Sequence, residues 1–367
     1  MTKNPRKSSV FTIHQARKQA FISRLQRSGR FRIGRFYAVE FFADFELRST
    51  GVAEFINHRL NMKKSFSLIF SLCGVSLLLA ITIPSGDEQK RAVGSLFNLS
   101  PDLKAAFEVG DDFNPLPEPG PTDWLTSHKE QGQTYKQFLR SSPNRPGARG
   151  RKFIYLQPIG DFPEKAPQMD TLKKYLEAYF YPMPVKVSGA LVLKNLEGVT
   201  TRGEQVNCTD LLNVLQVRIP KDAYVVMGVT MKDLYPGDGW NFVFGMARLK
   251  ARCGVFSFAR YGIEDDQKQA LLRALKVISH ETGHAFGIKH CIHFHCLMNG
   301  ANSLSETDRA PLHFCPACLR KIHWGLRFQP GERYQELAEF LNEHDFKEEA
   351  EWFELREAKT RKDEGGF

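Results

Sequence analysis

The sequence has little cysteine, no evident internal repeat and, beyond residue 64, no excess of charge of either sign. Seven cysteines among 367 residues are too few for a small domain held together by disulfides, and their number is odd. The hydrophobic content of 42% is ordinary for a folded protein, which excludes a wholly disordered chain. The chain is therefore long and apolar enough for one or two domains with substantial cores.

The net charge of +10 is confined to the beginning of the chain. Residues 1–64 hold fourteen basic and four acidic side chains, whereas from Ser65 onward each sign occurs 37 times. A basic excess favours nucleic acid or an anionic membrane as a partner only where it lies on the folded body. We therefore expect no nucleic-acid partner.

One long uncharged apolar run, residues 66–83, follows Met62 and two lysines and leads into small residues. This order is typical of a signal peptide or signal anchor at residues 62–86. Residues 1–61 are then an over-translated upstream segment or a basic cytoplasmic tail, and a buried core helix is the remaining alternative for the run. Because positive charge stays in the cytoplasm, we expect an exported domain, periplasmic or extracellular, or one anchored in the membrane through 66–83. A cytoplasmic protein is the alternative.

Composition divides the rest of the chain into three parts. Residues 87–150 form a polar extension punctuated by proline and glycine, with one short helix expected near Pro101–Glu108. Residues 151–330 alternate between strand and helix patterns, and residues 331–367 read as an acidic helical segment. Strands that alternate with helices predict an α+β (α/β-like) domain with a mixed sheet.

Periodicity places the individual elements of residues 151–330. The predicted strands are 153–157, 185–193, 223–230, 241–249 and 254–261, and the predicted helices are 168–181, 210–215 and one from Asp266 to about Phe286.

The last of these helices carries the pattern His280-Glu281-x-x-His284-x-x-Gly287-x-x-His290. His280 and His284 are four residues apart and share one helix face, so both can bind one ion. Gly287 lets the backbone turn and bring His290 to the same ion. Three imidazoles with an open fourth position suit a catalytic Zn²⁺, and Glu281 can reach water held there. The complete pattern is far more specific than two histidines alone.

Four cysteines follow directly, at positions 291, 296, 315 and 318. Two close pairs fit a tetrahedral Zn²⁺ with four thiolates, which is structural because no position stays open. Disulfides are the alternative, since export would place these residues in an oxidising compartment.

Met298 lies two residues beyond Cys296. Beneath a three-histidine site it could form an apolar floor, and the alternative is an ordinary core methionine. Cys208 and Cys253 read as buried thiols rather than ligands.

These features resemble the archaemetzincin (archaelysin) metallopeptidases. That family is marked by the long histidine motif with cysteine directly after the third histidine, followed by C-x4-C-x-M and a later C-x2-C. The chain matches at His290-Cys291, Cys296-x-Met298 and Cys315-Pro-Ala-Cys318, and also over Ile154–Gly160, Phe242–Ala247, Gly254–Tyr261 and Arg309–Leu312. The resemblance covers residues 150–325, and 100–150 more loosely.

The resemblance implies a compact metzincin-like zincin domain with a mixed sheet, an active-site helix and two Zn²⁺ per chain. It implies a catalytic zinc on the three histidines, a structural zinc on the four cysteines, and hydrolysis of peptide or protein substrates, with aminopeptidase-like cleavage. Our mechanistic hypothesis makes Glu281 the general base toward a zinc-activated water. The alternative is a non-catalytic zinc-binding or interaction protein on the same fold. The sequence predicts no oligomeric state.

Overall fold

A computed structural model describes residues 86–361, which form two β-sheets and eleven α-helices. The strands are β1 Phe153–Ile159, β2 Val185–Val187, β3 Thr201–Arg202, β4 Gln205–Asn207, β5 Ala223–Thr230, β6 Leu234–Tyr235, β7 Gly245–Arg248 and β8 Cys253–Ser257. The helices are α1 Gly86–Val93, α2 Pro101–Phe107, α3 Trp124–Ser127, α4 Tyr135–Arg140, α5 Met169–Tyr179, α6 Cys208–Gln216, α7 Gln267–Ala285, α8 Leu304–Arg309, α9 Pro316–Leu326, α10 Pro330–Glu343 and α11 Lys347–Arg361.

The larger sheet has the strand order β2-β1-β5-β8-β7. Its first four strands are parallel, and β7 pairs antiparallel with β8 at one edge. The mixed sheet predicted from the sequence is therefore confirmed. All eight residues of β5 are buried, because helices cover both faces of a parallel sheet. Strands β3, β4 and β6 form a small second sheet.

Two hydrophobic cores lie on the two faces of the larger sheet. The larger core joins β1 and β5 to α5, α7 and the C-terminal helices, with Leu156, Met227 and Leu275 among its fully buried members. The smaller core lies beneath α6 and includes Leu211 and Val255. Helix α7 thus rests on the larger core, which fixes the position of its last two turns.

Helix α7 has well-defined ends. The Asp266 side chain caps its start by accepting from the Gln269 backbone N–H at 2.9 Å. The helix stops at Ala285, and Gly287 follows with φ of +88°, a left-handed conformation that glycine adopts without strain. The predicted helix from Asp266 to about Phe286 is confirmed.

The extension and the C-terminal segment both pack against the rest of the fold. Helices α10 and α11 form an antiparallel pair that contacts α5 and α2, and α9 contacts α1, α2 and α4. Asp112, in the extension, accepts from Arg356 of α11 at 2.6 Å and also pairs with Lys359. The predicted helical C-terminus is thus present, as two helices, and the extension contains more helix than its composition predicts.

Several element boundaries differ from those predicted. The strand expected over 185–193 ends at Val187, where the Gln157 side chain donates to the Gly189 carbonyl in place of a strand neighbour. The strand expected over 241–249 shortens to β7, and the strand expected over 254–261 ends at Ser257 as β8. Helix α6 begins at Cys208 rather than 210, because the Asn207 side chain caps it by accepting two backbone N–H groups.

Within residues 86–361, no helix is both long and apolar enough to cross a bilayer. The predicted signal or anchor at 62–86 lies outside the described residues except for Gly86, and it stays a prediction. The predicted segment 1–61 also lies outside them.

Candidate active site and metal centres

The end of α7 and the loop after it bring three histidines to one point. One ring nitrogen from each of His280, His284 and His290 lies within 4.8 Å of the other two. The ring centroids are 4.6–5.2 Å apart. All three side chains are partly exposed, so the site opens to solvent on one side.

Each histidine has its Nδ1 atom occupied by a hydrogen-bond acceptor. The His280 Nδ1 lies 2.9 Å from the Leu297 carbonyl, and the His284 Nδ1 lies 2.6 Å from the Ile288 carbonyl. A carbonyl can only accept, so the proton of each neutral ring is on Nδ1 and the Nε2 lone pair is free. Orientation through the second ring nitrogen is the usual arrangement around a metal-binding histidine.

Electrostatics keep the two helix histidines neutral. Burial and the nearby His290 lower the pKa of His280 to about 3. Burial, His280 and His290 lower the pKa of His284 well below its ordinary value. Neutral imidazole is the form that binds a metal ion, so these residues fit a cation site.

Glu281 is buried directly against the edge strand β7. A Cβ built on Gly245 would lie 2.8 Å from the Glu281 Oε1 and 2.9 Å from its Cδ, so the carboxylate occupies the space that a side chain would fill. Burial raises the pKa of the Glu281 carboxyl to about 8. The structure therefore places an ionisable carboxyl group beside edge strand β7, on the residue that follows the first histidine.

The four cysteines 291, 296, 315 and 318 form a second, fully buried cluster with all sulfurs within 4.8 Å of one another. The Cys291 and Cys315 sulfurs are 3.7 Å apart, and all six cysteines within residues 86–361 are free thiols. A disulfide needs about 2.05 Å between sulfurs, whereas four thiolates at 2.3 Å from one Zn²⁺ lie about 3.8 Å apart. The spacing fits a tetrahedral zinc site.

The hydrogen bonding of this cluster also suits a cation. Bonds from the other three thiols lower the pKa of Cys291, while burial raises the pKa of Cys296 and Cys315. The Cys296 sulfur accepts backbone N–H groups of Cys315 at 3.2 Å and Met298 at 3.4 Å. Several buried thiolates together require a positive ion to compensate their charge, and Zn²⁺ meets that requirement.

Met298 lies between the two clusters. It is fully buried, and its sulfur fills the space beside Gly283, where an added Cβ would approach to 2.6 Å. Its carbonyl accepts from the Cys291 backbone N–H at 2.7 Å. The structure therefore places Met298 beneath the histidine-bearing helix and joins it to the cysteine loop.

Two residues of this region were not predicted from the sequence. Glu130 lies 2.7 Å from the His290 Nδ1, yet it is 160 residues away along the chain in a segment without periodicity. Gly245 carried a detectable signal, because a glycine within a strand pattern indicates close approach of another group. Cys208 and Cys253 are buried free thiols outside both clusters.

Comparison with known proteins finds a family and several relatives. The model of Peptidase family M54 matches residues 208–324. Human archaemetzincin-2 is 34% identical over 284 residues, covering 66% of this chain and 78% of that protein. Mouse archaemetzincin-1 is also 34% identical, over 59% of this chain and 51% of that protein.

Solved structures are similar as well. The archaemetzincin of Methanopyrus kandleri is 31% identical, with a TM-score of 0.42 over 49% of this chain and 98% of that one. The archaemetzincin of Archaeoglobus fulgidus, solved with malonate, is 32% identical, with a TM-score of 0.40 over 46% and 99%. On its identity to archaemetzincin-2 over most of that protein's length, the chain belongs to the archaemetzincin family of zinc-dependent metallopeptidases.

Proposed function

We propose that this chain hydrolyses peptide bonds as a metzincin-type peptidase, with His280, His284 and His290 holding one catalytic Zn²⁺. One observation carries the proposal: a ring nitrogen from each of the three histidines lies within 4.8 Å of the others, and the residue after the first histidine is the buried Glu281. Three protein ligands leave a fourth position for water or substrate, as catalytic zinc sites require. The Nδ1 acceptors hold each ring in the orientation that exposes Nε2.

Glu281 is the proposed general base. When bound, Zn²⁺ supplies positive charge that polarises the scissile carbonyl, acidifies water and favours the ionised carboxylate. Glu281 takes a proton from the attacking water at its carboxylate oxygen and donates it to the departing amine. Burial raises the pKa of this carboxyl, and the positive charge of a bound ion would lower it again, toward the range in which one group can both accept and return a proton.

Strand β7 is the proposed peptide-binding edge. It is the last strand of the larger sheet, and its partly exposed residues pair only with β8 among the described strands. An extended peptide can add to such an edge through main-chain hydrogen bonds. Because Gly245 of β7 touches Glu281, a peptide bound there would have its backbone next to the proposed base.

We also propose a second, structural Zn²⁺ on cysteines 291, 296, 315 and 318, giving two zinc ions per chain. Support comes from the 3.7 Å sulfur spacing and the complete burial of the cluster. Such a site would hold the loop that carries His290 and Met298, and we propose Met298 as the floor of the catalytic site.

The substrate class, the partners and the cellular location are proposed from the sequence. We propose peptide or protein substrates with aminopeptidase-like cleavage, no nucleic-acid partner, and export or membrane anchoring through residues 66–83. The basic start and apolar run of residues 62–86 support export. Cell fractionation with an intact mass of the native protein tests it: processing near residue 86 supports a cleaved signal, and an uncleaved cytoplasmic chain contradicts export.

The test of function is a Glu281→Gln variant assayed on a peptide library, with Glu197→Gln as control because Glu197 is exposed. Removing a general base lowers turnover by about 10²–10⁴-fold, and bound zinc should equal that of the wild type. Wild-type activity in Glu281→Gln would contradict the base assignment. A wild-type protein that binds zinc but cleaves nothing would instead support the non-catalytic alternative.

A further inference from the structure

The segment Asp123–Gln133 reaches the proposed zinc site from a part of the chain that lies before the residues matched by the family model. It belongs to the extension 87–150, and it precedes residues 208–324, which the family model matches. One of its side chains, Glu130, lies beside His290 and contacts the ring nitrogen that faces away from the proposed ion.

Glu130 is held in a nearly closed environment. Its side chain is 10% exposed, and its Oε1 lies 2.7 Å from the His290 Nδ1. The same oxygen accepts from the Trp124 indole N–H at 2.9 Å. The Trp124 ring stands edge-on to His290, with centroids 5.2 Å apart. A carboxylate with two donors and little solvent has one orientation, so it can fix its partner.

The segment is anchored at one end to helix α8 and at the other end to the loop after α7. Asp123 accepts from Arg309 through both oxygens, at 2.8 and 2.9 Å. The Trp124 backbone N–H donates to Glu306 at 2.9 Å. At the other end, the Gln133 side chain donates to the Gly287 carbonyl at 3.2 Å.

Two glycines show how closely the segment is seated. A Cβ on Gly300 would lie 2.4 Å from the Trp124 ring, and a Cβ on Gly132 would lie 2.6 Å from Ile292. Neither position accepts a side chain without movement. The segment is therefore closely packed against the residues around the site.

The three histidines differ in the acceptor that orients them. His280 and His284 donate to neutral backbone carbonyls, whereas His290 has a carboxylate. A charged acceptor forms a stronger hydrogen bond than a neutral one, and it raises the basicity of the opposite ring nitrogen. His290 also lies on a loop, so the backbone of helix α7 does not hold it as it holds His280 and His284.

We propose that Glu130 is a positioning residue for the catalytic zinc site: its carboxylate orients His290 and strengthens the bond from its Nε2 to the metal. This inference rests on the proposed function, because it requires His290 to be a ligand. It makes the extension 87–150 part of the metal site.

The test compares zinc release from the full chain in Glu130→Ala and Glu130→Gln variants. Zinc transferred to a colorimetric chelator is followed over time, which separates the open histidine site from the buried cysteine site. Glu118→Gln is the matched control, because Glu118 is an exposed residue of the same extension. Trp124→Phe keeps an aromatic ring but removes the indole N–H that donates to Glu130. His290→Ala removes the proposed ligand itself.

We expect Glu130→Ala to weaken the histidine-site zinc by about 10- to 100-fold, the usual cost of losing such a partner. Glu130→Gln should fall between it and the wild type, because the amide oxygen still accepts but carries no charge. The slowly released zinc, the melting temperature of Glu130→Gln and all results for Glu118→Gln should equal those of the wild type.

Three outcomes would overturn the inference. If His290→Ala loses the fast zinc while both Glu130 variants retain it as the wild type does, only the role of Glu130 fails. If His290→Ala keeps both zinc ions, the proposed site fails and Glu130 has no ligand to position. If Glu130→Gln melts at a clearly lower temperature with wild-type zinc release, Glu130 is structural only.

Discussion

The three-histidine cluster and the four-cysteine cluster are adjacent in the chain, since Cys291 follows His290, but they are built in opposite ways. The histidines are partly exposed, and their orientation comes from polar partners at Leu297, Ile288 and Glu130. The cysteines are fully buried among apolar side chains, with backbone N–H groups directed at sulfur. One cluster leaves room for substrate and the other leaves none.

This difference shows how a short stretch of chain can supply both chemistry and stability. The four-cysteine cluster joins the loop after α7 to the start of α9 and so restricts where His290 can lie. The three-histidine cluster can then remain accessible to solvent, because its position does not depend on packing around the histidines themselves. Met298 connects the two, because it contacts Gly283 of α7 and hydrogen-bonds Cys291 and Cys296.

The largest predicted effect comes from replacing one ligand in each cluster. Cys318→Ser should remove the structural zinc, lower the melting temperature severely and abolish activity, because binding of structural zinc is worth about 10–16 kcal/mol in small domains. His284→Ala should abolish activity and remove one zinc while changing the melting temperature little. Metal analysis and calorimetry measure both.

The control for this comparison is Cys253→Ser, a buried thiol outside both clusters. It should keep two zinc ions per chain. The contrast between the clusters would be wrong if Cys318→Ser retained the wild-type melting temperature, or if His284→Ala unfolded the protein.

A smaller effect is expected from a substitution that crowds Glu281 and leaves every proposed zinc ligand in place. Gly245→Ala would place a methyl group within 2.9 Å of three atoms of Glu281. The carboxylate must move, and a displacement of about 1 Å at a reacting group costs roughly 10²-fold in rate. Steady-state kinetics should show the loss in kcat, with zinc content unchanged.

Gly189→Ala is the matched control, because nothing lies within 4 Å of that position. Activity of Gly245→Ala within twofold of the wild type would show that Glu281 tolerates displacement. That result would weaken the argument that the edge strand and the base are fitted to each other.

The smallest effect concerns His323, a largely buried imidazole outside both clusters. Burial, followed by the nearby Arg327, lowers its pKa to about 4, and its ring packs edge-on against Phe107 and Phe328. The unfolded chain binds this proton near pH 6.5, so stability is complete above that pH and declines as pH falls toward 4.

His323→Phe should remove this part of the acid sensitivity. Between pH 6.5 and 4, the free energy of unfolding of the wild type should fall by about 1–3 kcal/mol more than that of the variant. Urea unfolding across this range measures the difference, and loss of zinc in acid affects both proteins alike. Parallel pH profiles would show that His323 titrates normally in the fold.

Local patterns in the sequence predicted the elements that depend on local physics. The buried strand at 223–230 and the helix from Asp266 followed from the periodicity of apolar residues, and both are observed. The ligand spacing fixed which histidines and cysteines come together. Strand lengths at 185–193, 241–249 and 254–261 were overestimated, because side-chain hydrogen bonds and loop contacts end the pairing.

Contacts through space could not be predicted from one sequence. Glu130 reaches His290 only because the extension folds back across the site, and no periodicity or spacing records that. The close approach of Gly245 to Glu281 depends on how α7 crosses the sheet. The sequence therefore revealed the proposed ligands, whereas the groups that orient them required the structure.

The pairing of Asp112 with Arg356 and Lys359 has a consequence for synthesis of the chain. The two partners of Asp112 are separated from it by 244 and 247 residues, and they lie on the last described helix. During translation the extension and its Glu130 are made long before α11 leaves the ribosome. This contact can form only after α11 has been synthesised, so the histidines and cysteines are made before the extension can pair with α11.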